Sequence, residues 1–206
     1  MMEVLAGKLI LRSTLTSPFG RKVRMAAEVL GLAHRLVVVS ADPADAADTL
    51  RQQNPLGKIP CLVLEDGTSI YDSRVILEYL QHVVGSEQLL PLTGAHRFRM
   101  LTLMTLADGV IDAGALIIYE QRYHEARACS PKWLDHQRGK IQRALDAFER
   151  APLDPGRTDA VAIGLGCALG FLDKRKVLNW RAGCPKLVEW LDSFRAREAA
   201  YERTRA

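Results

Sequence analysis

Along the first part of the chain, apolar positions switch between short continuous runs and a period near 3.6, which read as strand and helix. Lys8 to Arg12 (KLILR) and Arg35 to Val39 (RLVVV) read as short strands. Ile59 to Leu64 and Thr68 to Tyr71 read as two more, joined by Asp66-Gly67, a two-residue hairpin signal. A helix is expected from Phe19 to about Leu32, with Val23, Ala26, Ala27 and Leu30 on its apolar face. Ser17 suits its N-cap, Pro18 its first helical position and Gly31 its stop. The alanine-rich segment from Pro43 to Gln53 is also expected to be helical. Asp72-Ser73 then opens a helix carrying Val75, Ile76, Leu77, Tyr79 and Leu80. The order strand, helix, strand, helix, strand, strand, helix predicts a compact α/β unit with a four-stranded mixed sheet over residues 1–84.

Residues 85–94, with Pro91 among them, read as a linker, and over 95–206 the pattern is helical alone. Ala95 to His124 is apolar over two adjoining stripes, which implies burial on more than one side. Asp108 falls inside the first stripe, so its carboxylate belongs either at a solvated cleft or in a pair across an interface. Pro131 to Arg150 is a second helix, with Trp133, Ile141, Leu145 and Phe148 inward. Asp159 caps a third, Ala160 to Asp173, which is apolar all round and reads as the central core helix. Its Gly164, Gly166 and Gly170 have the spacing G-x-G-x-x-x-G with no strand before them, which favours close helix packing over dinucleotide binding. Cys184-Pro185 starts a last helix with Leu187, Trp190, Leu191 and Phe194, and the polar run Arg195 to Ala206 reads as a tail.

Composition narrows the function classes. With 48% apolar and 25% charged residues, the 206-residue chain is expected to be a globular protein without a membrane span. Met1 to Gly7 lacks the basic and apolar regions of a secretory leader. Cys61, Cys129, Cys167 and Cys184 are widely spaced, which disfavours a disulfide framework or a metal site and fits a cytoplasmic location. Net charge is +4, and the one tight basic run, Lys174-Arg175-Lys176, reads as a solvated helix end, so a nucleic-acid partner is not expected.

The stretch from Asn54 to Ser73 carries the candidate chemistry. Turn residues Asn54, Pro55 and Gly57 lead into Ile59-Pro60, a bond that can be cis, and the hairpin delivers the chain to the helix start at Asp72. An exposed backbone edge beside a helix N-terminus can hold a small anionic, peptide-like ligand. An ordinary hairpin followed by a capped helix satisfies the same residues.

Four segments together resemble the soluble glutathione S-transferases. They are Ser17-Pro-Phe-Gly-Arg-Lys-Val-Arg24, Asn54-Pro-Leu-Gly-Lys-Ile-Pro60, Tyr71-Asp-Ser73, and Gly166-Cys-Ala-Leu-Gly-Phe-Leu-Asp173 followed by Trp180 and Pro185. The serine-type tau and zeta classes and their bacterial relatives are the most similar in motif. The resemblance implies a thioredoxin-like glutathione-binding domain, an all-helical second domain, a homodimer and a role in detoxification. It implies that Ser17 contacts the glutathione sulfur, with Thr16 and Ser13 as alternates in the same loop, and that the N-terminus of the Phe19 helix adds a favourable field. Ile59, before Pro60, pairs with the cysteinyl backbone, Lys58 lies near the glycyl carboxylate, and Asp72 and Ser73 hold the γ-glutamyl end. The second-substrate pocket is expected from Leu103, Leu106, Ile111, Tyr119 and Tyr123. Asp108 is expected at a partner subunit's glutathione or at an interface. The reaction implied is transfer of the glutathione thiolate to a small hydrophobic electrophile, or reduction of a peroxide. No cysteine lies in the Ser13–Ser17 loop, which disfavours a thiol reductase, whose mixed disulfide needs a sulfur there. The same fold also serves as a noncatalytic interaction module, as in the stringent starvation proteins, and fold alone does not separate the two.

Overall fold

The computed structural model describes residues 7–206; the leader reading at Met1 to Ala6 and the first positions of the 1–84 unit lie outside them. Four strands form one sheet in the order β2-β1-β3-β4. They are β1 (Leu9–Arg12), β2 (Leu36–Val39), β3 (Cys61–Val63) and β4 (Ser69–Ile70). β1 and β2 run parallel, whereas β3 is antiparallel to both β1 and β4. Period-two alternation sends Leu9, Leu11 and Leu62 into the main core, and Cys61 to a smaller cluster with Ala41 and Leu50 on the other face. Helices α1 (Pro18–Val29) and α3 (Ser73–Val84) pack together, and the αL residue Gly31, at φ 73°, follows the first of them.

Between Pro43 and Gln53 the expected helix shrinks to one turn, α2 (Leu50–Gln53). The aspartates explain this. Asp42, Asp45 and Asp48 each accept from the N–H two residues on, at Ala44, Ala47 and Leu50, so side-chain turns replace helical bonds. Arg12 then pins the segment by donating to Asp48 Oδ1 (2.6 Å), Thr49 Oγ1 (2.9 Å) and Gln53 Oε1 (2.7 Å).

After α3 the chain turns at Gly85 and is clamped by buried Gln81. Its Oε1 accepts from the N–H groups of Leu89 and Leu90, and its Nε2 donates to the Leu90 carbonyl. The helical part comprises α4 (Gly94–Tyr123), α5 (Pro131–Arg150), α6 (Ala160–Arg175), α7 (Pro185–Arg197) and α8 (Ala199–Arg203). By length and composition α4 passes for a membrane span. It packs on both α5 and α6, and it carries a buried aspartate. α6 is buried on all sides, and Asp159 Oδ1 caps it through the N–H groups of Val161 and Ala162. Its glycines admit close neighbours: a Cβ at Gly166 would lie 3.0 Å from the Phe194 ring, and one at Gly170 would lie 2.7 Å from the Arg21 guanidinium.

The polar run after Arg195 is not a tail. α7 continues to Arg197, and α8 buries Ala200 and Tyr201. Tyr201 meets Phe194 edge-on, and the Arg21 guanidinium stacks on its ring at 4.1 Å while donating to its carbonyl (2.7 Å). One aromatic anchor and one arginine from α1 hold a segment that reads as solvated by composition.

Candidate functional site

Topology gathers the candidate residues. β1 runs antiparallel to β3, and β3 to β4, so the end of β1, the start of β3 and the end of β4 share one edge of the sheet. The pairing of Arg12 with Cys61 sets that level. The Ser13–Ser17 loop, the Lys58–Pro60 segment and Tyr71–Ser73 therefore leave the sheet at the same end.

Ser17 is the N-cap of α1. Its Oγ accepts from the Gly20 N–H at 3.1 Å, which uses a lone pair, and among the described residues no acceptor takes its hydroxyl hydrogen. The side chain sits at the positive end of a twelve-residue helix, where an anion is favoured by roughly 0.3–1 kcal/mol. The alternates are placed differently. Ser13 is 1% exposed and its hydroxyl donates to the Thr14 carbonyl. Thr16 is exposed and meets the Thr14 hydroxyl. Phe19 is half-buried in the first turn of α1.

Asn54 shapes the next segment. Its Nδ2 donates to the Lys58 carbonyl (2.8 Å), its Oδ1 accepts from the Leu56 N–H, and Gly57 takes φ 60° between them. The loop thus delivers Lys58 exposed and Ile59 half-buried, and the Ile59–Pro60 bond is cis. Among the described residues none accepts from the Ile59 N–H or donates to its carbonyl. This leaves one donor and one acceptor of an extended edge available to a peptide-like ligand.

Asp72 caps α3 through the Arg74 N–H (3.0 Å) and receives the Arg74 guanidinium at 2.8 Å. Burial works against its carboxylate, but these two bonds outweigh it and hold the pKa below the usual range. Ser73 lies beside it, 3% exposed.

Sequence reasoning missed the groups underneath. Lys22 is fully buried and donates to Asp108 Oδ1 at 2.6 Å, joining α1 to α4 within one chain. Arg74 reaches the other oxygen of Asp108 at 3.8 Å. One turn along α4, crowding by the protein raises the pKa of Asp112 and Asp108 adds to the rise, while Lys58, Arg74 and Lys22 oppose it. A signal for Lys22 existed: it falls four residues before Ala26, on the buried stripe of α1, as Asp108 does on α4. Arg74 had none, since an arginine in a first helical turn is ordinary surface.

The five residues expected to form a second-substrate pocket lie at different depths in α4. Ile111 is fully buried, Leu103 and Leu106 are half-buried, and Tyr119 and Tyr123 are exposed with ring centroids 6.0 Å apart. A cavity of about 280 Å3 opens elsewhere, between the N-terminal turn of α1 and the C-terminal ends of α6 and α8, and Ser17 is in its wall. None of the five lines it. Of the four free cysteines only Cys129 is not fully buried, and burial pushes the Cys167 thiol up.

Comparison with known proteins finds the glutathione S-transferase N-terminal domain family matching residues 16–83 and the C-terminal domain family matching 131–193. The uncharacterised GST-like protein YibF of Escherichia coli is 34% identical over 189 residues, 89% of this chain and 92% of that one. A glutathione transferase family member from Pseudomonas fluorescens, solved with bound glutathione, superposes with a TM-score of 0.89 at 39% identity, covering 96% of this chain and 98% of that one. A second structure of a family member from that organism holds S-(propanoic acid)-glutathione, with a TM-score of 0.86 at 37% identity over 96% and 99% of the two chains.

Proposed function

The chain belongs to the soluble glutathione S-transferase family, and from that premise we propose that it binds glutathione at the shared sheet edge and transfers its thiolate to a small electrophile. The observation that carries the reading is the pairing of an open backbone donor and acceptor at Ile59 with a hydroxyl at Ser17 whose hydrogen meets no acceptor among the described residues. The residues fit the ligand. Ile59 takes the cysteinyl N–H and carbonyl in a short antiparallel pair, Lys58 faces the glycyl carboxylate, and Asp72 with Ser73 meets the γ-glutamyl end.

A free thiol has a pKa of about 8.5, so at neutral pH little of it is thiolate. Serine is too weak a base to take that proton. Ser17 instead donates to the thiolate sulfur, and the α1 N-terminus adds its field, so both favour the anion after the proton leaves to solvent. With a haloarene the thiolate attacks the activated carbon, a C–S bond forms, the carbon–halogen bond breaks and halide departs. Reduction of a peroxide by the same thiolate is a second outcome of the same activation. The proposal includes a cytoplasmic homodimer, whose contact would cover exposed apolar side chains such as Val75 on α3 and Phe98 on α4. The neighbour holding S-(propanoic acid)-glutathione supports a thioether product at such a site.

The test is glutathione-dependent halide release from 1-chloro-2,4-dinitrobenzene by the purified chain, with a cumene hydroperoxide assay in parallel. Turnover saturating in glutathione with either substrate is expected. Tight glutathione binding with no turnover of any electrophile or peroxide would favour the noncatalytic interaction module.

A further inference from the structure

The cavity beside Ser17 has a charge pattern that a purely hydrophobic electrophile does not use. Its wall carries Arg21, Lys174, Arg175, Arg195 and Arg205 against one side-chain carboxylate, Asp173. That carboxylate is committed outward, to Arg181 (2.6 Å) and the Trp180 indole N–H (2.9 Å). Arg195 and Arg205 share the single carboxylate of Glu202. Lys174 donates to a main-chain oxygen, that of Ala206. Arg21 is 8% exposed, meets the Tyr201 carbonyl and ring but no carboxylate, and its buried Nε has no partner. Arg175 makes no ion pair among the described residues. Among the described residues, Arg21 and Arg175 therefore stand without a side-chain carboxylate partner beside a space of about 280 Å3. The helix ends act in both directions: the α1 N-terminus adds about half a positive charge and the α6 C-terminus about half a negative one. Leu15 and Phe171 supply the apolar part of the wall.

We propose that this cavity is the acceptor subsite and that it selects an electrophile carrying a carboxylate, held by Arg175 and Arg21 with its reacting carbon toward Ser17. The inference rests on the transferase reading and adds the chemical class of its second substrate. The volume is near the lower end for small-ligand sites, roughly 300 Å3, which suits a single ring or a short chain with one acidic group. The apolar wall takes the body of the molecule, and the cations take the end remote from the sulfur.

The two readings separate in a binding experiment with nonreactive conjugates. Dissociation constants are measured by calorimetry for glutathione, S-benzylglutathione and S-(4-carboxybenzyl)glutathione. The carboxylated conjugate is expected to bind about tenfold more tightly than the benzyl one, the size of a good charge-assisted hydrogen bond. Arg175 is exposed, so Arg175→Gln should reduce that ratio by about two- to fivefold, and Arg175→Glu should reduce it further. Arg21→Lys keeps the charge while altering the stacked fork, and its thermal melt reports whether α8 stays docked. Equal affinity for the two conjugates in the wild type overturns the inference, as does a preference that Arg175→Glu leaves unchanged. If glutathione and both conjugates fail to bind, the transferase reading itself falls.

Discussion

Replacing Asp108 by alanine is expected to cost about 3–5 kcal/mol of stability, because Lys22 would be left in the interior without its carboxylate partner. For a chain of this size each kcal/mol moves the melting temperature by about 2–4 °C, so the midpoint should fall by roughly 6–20 °C. The side chains of Lys22 and Asp108 are 1% and 7% exposed, so water cannot take over the lost interaction. Lys22→Met should cost less, since Asp108 retains Arg74 at 3.8 Å. The double variant Lys22→Met with Asp108→Leu should recover most of the loss, as apolar replacements of buried pairs commonly do. Thermal melts of the two single variants and the double variant form a cycle that isolates the pair. A loss below about 1 kcal/mol for Asp108→Ala, the size of a surface pair, would mean that the two charges are solvated and that this pair does not hold α1 to α4.

Ser17→Ala is expected to lower kcat/KM by roughly 10- to 150-fold, the equivalent of about 1.5–3 kcal/mol for a hydrogen bond to a charged group. Glutathione affinity should change little, because Ile59, Lys58, Asp72 and Ser73 remain. The same substitution removes the acceptor of the Gly20 N–H and so costs about 0.5–2 kcal/mol in stability. Ser17→Asp separates the two roles. Aspartate caps a helix as well as serine does, so stability should stay near the wild type. Its negative charge beside the sulfur raises the thiol pKa, so activity should fall at least as far as in the alanine variant. Full activity in Ser17→Asp would remove Ser17 from the mechanism.

The short apolar runs of β1 and β3 and the helical period of α1 and α3 were legible because each element sends apolar side chains into the core. The cap at Asp72 and the turn at Gly57 were legible because each asks for a residue type that few others can replace. The Pro43–Gln53 segment was misread because propensity counts alanines, whereas three aspartates and the distant Arg12 decide the conformation. α8 was missed because one buried tyrosine among charged neighbours carries no periodicity. At the site, Ser17, Ile59 and Asp72 stand out locally. Lys22, Arg74 and Arg21 gain their meaning only from partners 86, 34 and 180 positions away, at Asp108, Asp108 and Tyr201. The acceptor cavity belongs to the same class: it is made by α1, α6 and α8 meeting, and no window of sequence contains it.

The most direct test of the thiolate mechanism is an ultraviolet difference titration of the protein with saturating glutathione, following thiolate absorbance against pH. The hydroxyl of Ser17 and the α1 N-terminus should move the midpoint of the bound thiol at least about one unit below its free value of about 8.5, a stabilisation of about 1.4 kcal/mol. The same titration on Ser17→Ala should return most of that shift. Saturable binding with the midpoint at or above the free value would contradict the mechanism, and no binding would contradict the glutathione site itself.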